Sequence, residues 1–168
     1  ELEFFDYLGY DAISLGNHEF DPGSERLATM FAKAERKRLR IDIVSTNMVL
    51  PADYSHPLSH FIRSAPEAGE EVPVQQQQRT ETSGHVHIHA HLTKVLHYDG
   101  DGSARSLTVG IIGMVGPDAS FACAVNRGRV GFKGFDDNLS RPDMPSAVSA
   151  AVAALQELTR RGADVNIL

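Results

Sequence analysis

Two periodicities alternate along residues 2 to 47, and that alternation restricts the chain to helices layered on a sheet. In "LEFFDYLG", Leu2, Phe5 and Leu8 share one helical face, and Gly9 is suited to close the helix. "DAISLG" follows as a short buried strand running into Gly16, and "NHEFD" as a loop. Asp21 is placed as a helix N-cap with Pro22 at the first helical position. Leu27, Met30, Phe31 and Ala34 extend that helix to about Arg38, and "DIVSTN" is the next strand, ending at Asn47. The same alternation closes the chain. Pro145 starts a helix whose buried stripe is Val148, Ala151, Val152, Leu155 and Leu158, Gly162 stops it, and "ADVNIL" begins a strand.

The middle of the chain is less regular. Residues 49 to 84 are rich in Pro, Gly, Ser, Gln and Glu and read as a surface insertion. In "HVHIHAHLTKVLHY", Val86, Ile88, Ala90 and Leu92 alternate with His85, His87, His89 and His91, a strand with one apolar and one histidine face. "DGDG" (Asp99 to Gly102) is a turn signal and "SLTVGIIGMVG" a returning strand apolar enough to be buried on both faces. Residues 86 to 115 therefore read as a long hairpin. His56 and His60 are expected to be exposed.

At 168 residues, with 42% hydrophobic and 23% charged residues, the chain suits one globular domain with a core. Its net charge of -6 gives no global reason to bind nucleic acid. The basic run Lys33 to Arg40 fits a solvated helix end. No apolar run approaches the roughly 20 residues that span a bilayer. No signal peptide is visible. Cys123, the one cysteine, has no base beside it in sequence and reads as a small buried residue. Both ends read as cut, Glu1 falling inside a helical pattern and "ADVNIL" inside a strand.

The stretch "LGNHEFDPG" concentrates chemistry just past a strand's carboxyl end, where α/β sheets bind ligands. Asn17 offers a neutral oxygen to a divalent metal. His18 can donate a proton or hydrogen bond to a developing negative charge. Asp21, three residues on, can bond the other ring nitrogen and fix the imidazole, as a triad aspartate does. The following helix start favours an anion such as phosphate. The same residue types also make ordinary exposed turns.

"YDAISLGNHEFD" resembles the corresponding segment of the 5'-nucleotidase branch of the calcineurin-like metallophosphoesterases. "IVSTN", "LTVGIIGMVGP" and "AVAALQELTRRGADVNIL" are similar to later blocks of that family in the same order. The resemblance spares only the 49–84 insertion. It implies an α/β fold: a four-layer α/β/β/α sandwich, present in part and truncated at both ends. It further implies hydrolysis of phosphate monoesters, nucleotides above all, at two adjacent divalent ions of Zn, Mn, Fe or Co type. Carried over, it makes Asn17 a metal ligand, His18 the group that stabilises the transition state or leaving group, and Asp21 its orienting partner. Glu19 belongs to the motif without a direct catalytic role. The family's Asp-x-His and Gly-Asp motifs and two later histidine motifs have no counterpart here. The chain is therefore expected to be an internal piece of a catalytic domain and inactive alone.

Two other readings stay open. The parent enzyme could hydrolyse nucleotide diphosphates or cyclic phosphodiesters. Alternatively, the chain is a non-catalytic binding module using the His85–His91 strand, since neighbours at i and i+2, about 6–7 Å apart, could chelate Zn²⁺ or Ni²⁺. The simplest account of that strand is a solvent-facing surface. Family resemblance favours an extracellular, periplasmic or surface-anchored protein.

Overall fold

The computed structural model of the chain describes residues 1–50, 56–63, 84–98, 105–116, 130–134 and 143–168. Cys123, the 99–102 turn and most of the 49–84 segment lie outside the described residues. Helix α1 (Leu2–Leu8) ends at Gly9, whose φ of 70° takes the left-handed turn that glycine tolerates. It leads into strand β1 (Ile13–Ser14), a 3₁₀ turn (His18–Phe20), helix α2 (Ser24–Arg36) and strand β2 (Arg40–Val44). Then come β3 (Met48–Val49), a 3₁₀ turn (Pro57–Phe61), β4 (Ile62–Arg63), β5 (His85–His89), β6 (Leu92–Tyr98) and β7 (Arg105–Ile111). Strand β8 (Gly131–Phe132), helix α3 (Met144–Arg160) and β9 (Val165–Ile167) complete the described elements.

The elements form helix, sheet, sheet and helix layers, a mixed α/β fold. The first sheet has the order β1-β2-β5-β4, with every pairing parallel. Period-2 alternation sends Ile41, Ile43, Val86 and Ile88 to one face, where they pack with Leu27, Ala28, Phe31 and Ala34 of α2. The second sheet has the order β6-β7-β9, with β7 antiparallel to β6 and parallel to β9. Helix α3 covers it through Ala154 and Leu158 against Ile112. A two-stranded antiparallel pair, β3 with β8, stands beside them. No helix among the described residues is long and apolar enough to cross a membrane.

The expected hairpin over 86 to 115 is divided between the sheets. Strand β5 stays in the parallel sheet, and the chain leaves at Ala90 and His91 to start β6 in the other. That departure is held by bonds to the strand end beside it. Ser45 N–H donates to the His89 carbonyl at 2.9 Å, and the Thr46 hydroxyl donates to the Ala90 carbonyl. The antiparallel arms are 92–98 and 105–111, and the outer half of β7 is exposed rather than buried on both faces.

Other expectations shift with the packing. The buried stripe of α3 is Ala150, Ala154 and Leu158, while Val148, Val152 and Leu155 are exposed, because the small residues let the helix lie close on β7. Within the 49–84 range, Leu58 and Phe61 enter the core, and the Phe61 ring meets Phe31 edge-on at 5.3 Å. His56 is buried rather than exposed, and its Nε2 lies 3.1 Å from the Ser24 hydroxyl. His60 is exposed as expected.

Two close contacts fix the sheet ends. Asn47 is wholly buried, and its amide is satisfied on both sides. Its Nδ2 donates to the carbonyls of Val115 and Lys133 at 3.0 and 2.8 Å, and its Oδ1 accepts from Val115 N–H at 2.9 Å. At Gly113 the backbone passes so near the other sheet that an added Cβ would collide with the Val44 carbonyl oxygen and sit 2.6 Å from the Ser14 hydroxyl. Gly113→Ala should therefore cost about 1–3 kcal/mol through overpacking against rigid backbone. Gly116→Ala, whose methyl would meet nothing within 4 Å, should leave the urea midpoint unchanged. Equal midpoints for the two variants would show that the sheets do not meet here.

Candidate functional site

The loop after β1 is built from its buried residues outward. Leu15 is buried, and Phe20 is fully enclosed, its ring edge-on to Phe132 at 5.1 Å. Enclosing a phenyl group stabilises by roughly 1.5–3 kcal/mol, so Phe20 acts as the anchor of the loop. Glu19 closes it, because its Oε2 accepts from the Gly16 N–H at 2.8 Å. With those side chains turned to structure, His18 and Asp21 face solvent.

His18 Nδ1 lies 2.8 Å from Asp21 Oδ2. The His18 side chain is 78% exposed, and with Nδ1 engaged, Nε2 is the ring nitrogen left to a ligand. The hydrogen bond to Asp21, and then its charge, raise the pKa of His18 above the ordinary histidine value. Asn17 is half-buried immediately before them, at the start of the 3₁₀ turn, and its side chain makes no hydrogen bond among the described residues. Its amide is thus available as one neutral oxygen ligand.

Asp21 does not cap α2. It ends the 3₁₀ turn, and α2 begins at Ser24 behind Gly23, whose φ of 90° carries the change of direction. The carboxylate is committed to His18, and α2 has no side-chain N-cap bond.

The histidine strand is not a solvent-facing surface. His85, His87 and His89 lie on the face of the first sheet turned toward β6, and His91 falls beyond the end of β5. Register places Asp42 opposite His87, on the same face. Asp42 Oδ1 is 3.0 Å from His89 Nε2, and its Oδ2 accepts from Lys94 Nζ of β6 at 3.2 Å. The rings of His85 and His87 stack at 4.5 Å, and those of His87 and His89 meet edge-on at 5.9 Å. Among the described residues, one group of His, Cys, Asp and Glu side chains converges closely enough to hold a metal: Asp42, His85 and His87.

Sequence reasoning gave Asp42 no role. The signal was present in "RIDIV", where Asp42 interrupts an apolar strand and alternation turns it away from Ile41 and Ile43. The parallel register that brings it to the histidines is a property of the folded sheet.

Electrostatics of the cluster follow from its half-burial. Burial alone would raise the Asp42 carboxyl, but the His89 hydrogen bond and the Lys94 charge outweigh it and hold the pKa at about 2. Burial is the main cause that pushes His87 down to about 4, with the charges of His85, Arg63 and His89 adding to it and that of Asp42 opposing. His85 and His91 are lowered in the same direction, again chiefly by burial. An unfolded His87 takes up its proton near pH 6.5, whereas the folded one resists until about 4. Stability is therefore undiminished by this group above pH 6.5 and falls as pH drops from 6.5 toward 4. Asp42 adds a loss between its ordinary value of 3.8 and about 2. Thermal midpoints measured with chelator should decline from pH 7 to pH 4.5, and His87→Gln should flatten the decline. The same slope in wild type and variant would contradict this account.

No protein-family model and no curated protein matches this sequence. Among solved structures, the calcineurin-like phosphoesterase YfkN from Bacillus subtilis superposes with a TM-score of 0.59 at 20% sequence identity, covering 98% of this chain and 36% of that one. The chain thus spans little more than a third of that protein's length. At this identity the likeness concerns architecture: the chain is folded as a part of a calcineurin-like phosphoesterase is folded.

Proposed function

We propose that this chain belongs to the catalytic domain of a metal-dependent phosphoesterase, with phosphate monoesters of the nucleotide class as substrates. The observation that carries the reading is the His18–Asp21 pair, 2.8 Å apart, presented on an anchored loop just past the end of a parallel strand. The shared architecture with a calcineurin-like phosphoesterase supports it.

Each residue has a separate task in this scheme. Asp21 holds Nδ1 of His18, which fixes the ring and favours its protonated form. His18 then donates from Nε2 to the oxygen on which charge grows as the phosphorus–oxygen bond breaks. Glu19 holds the loop's curvature through Gly16. Asn17 supplies one neutral ligand to a divalent ion, a role its unpartnered amide fits. Such an ion, when bound, polarises the phosphoryl group and activates water.

The test is hydrolysis in Mn²⁺ by the protein that carries this chain. p-Nitrophenyl phosphate, nucleoside 5'-monophosphates, a nucleoside diphosphate and bis(p-nitrophenyl) phosphate together sort monoesterase from the two related activities. His18→Ala should lower kcat by about 10²–10⁴-fold. Asn17→Ala should raise the Mn²⁺ concentration needed for half-maximal rate. Full Mn²⁺-dependent activity in both variants would overturn the assignment.

A further inference from the structure

The geometry points to a second metal site: we infer that Asp42, His85 and His87 bind one Zn²⁺-class cation in the layer between the two sheets. One ligand atom from each of the three lies within 4.8 Å of the other two. Two come from β5 at i and i+2, and the third comes from β2 directly opposite His87. Five consecutive parallel pairs hold these strands together, so the donors stand on a fixed backbone before any ion arrives. A tetrahedral ion takes such ligands at bonds of about 2.0–2.2 Å.

The donor set selects the ion. Two imidazoles and one carboxylate suit Zn²⁺, Co²⁺, Ni²⁺ or Cu²⁺ rather than Mg²⁺ or Ca²⁺, which prefer all-oxygen shells. Three protein ligands leave one position for water. His89 Nε2 and Lys94 Nζ lie 3.0 and 3.2 Å from Oδ1 and Oδ2 of Asp42, contacts of the kind that orient a ligand.

A purely structural network accounts for part of the cluster. His89 and Lys94 already satisfy Asp42. It accounts for His85 only in part: Nε2 lies 3.9 Å from Asp42 Oδ1, while Nδ1 is buried without a hydrogen-bond partner among the described residues. A cation at the cluster would draw on that imidazole and on His87, stacked against it.

The site is separate from the His18 loop. Ser14 is level with Val44, and Asp42 lies two residues toward the amino end of β2, about 7 Å upstream at the usual strand rise. The His18 loop continues the chain in the other direction. An ion here would pin β2 to β5 and take no part in phosphoryl transfer.

Zn²⁺ alone is the probe, titrated calorimetrically into chelator-treated protein, with Co²⁺ as a spectroscopic substitute. We expect one Zn²⁺ per chain at this cluster and the visible absorption of four-coordinate Co²⁺. His85→Ala and His87→Ala should each weaken Zn²⁺ binding by at least about tenfold, since even an outer partner of a ligand is worth about 10–100-fold. Asn17→Ala and His60→Ala should leave this site unchanged, so its failure and that of the phosphoesterase reading are distinguishable. Circular dichroism identifies any variant that fails to fold. No Zn²⁺ uptake by the wild-type protein, or unaltered Zn²⁺ affinity in folded His85→Ala and His87→Ala, would overturn the proposal.

Discussion

The parallel ladder between β2 and β5 is the constraint on which the rest depends. Its register, Arg40 with His85 through Val44 with His89, decides what each face of the central sheet contains. One face receives Ile41, Ile43, Val86 and Ile88 and is closed by α2. The other receives Asp42 and three histidines and is met by Lys94. A slip of one residue would exchange the two sets, burying a carboxylate and imidazoles under α2. The core therefore enforces the register, and the register assembles the polar cluster.

The same sheet positions the His18 loop. Strand β1 pairs with the last two residues of β2, so the chain leaves the sheet at its carboxyl edge. Phe20 then returns to the core, and Glu19 bonds back to Gly16, which leaves His18 and Asp21 outward with their separation fixed by a single 3₁₀ turn. At the same edge, the buried Asn47 amide ties β2's exit to Val115 and Lys133. Much of the loop's stiffness thus comes from residues that take no part in its chemistry.

Much of this was legible in the sequence, for identifiable reasons. Helices α1, α2 and α3 are strongly periodic, and Gly9 and Gly162 mark the ends of α1 and α3 by positive φ. The i, i+3 spacing of His18 and Asp21 is a local property, so their pairing could be anticipated. What failed was non-local. The alternating run His85–His91 carries no mark of the switch between sheets at Ala90, because that switch is made by Ser45 and Thr46 of another strand end. The exposed side of α3 and the buried place of His56 likewise depend on which neighbour each meets. Asp42 was overlooked because one carboxylate in an apolar strand says nothing until its partner strand is known.

The account rests most heavily on the His18 loop holding an imidazole oriented and charged by its own carboxylate. An NMR titration of the His18 ring in the wild-type protein, set beside Asp21→Ala, measures that directly. The imidazole should titrate above the usual value of about 6.5, with its Nδ1 signal showing the hydrogen-bonded proton, and both features should be lost in the variant. A His18 that titrates at the ordinary value in both proteins would contradict the account.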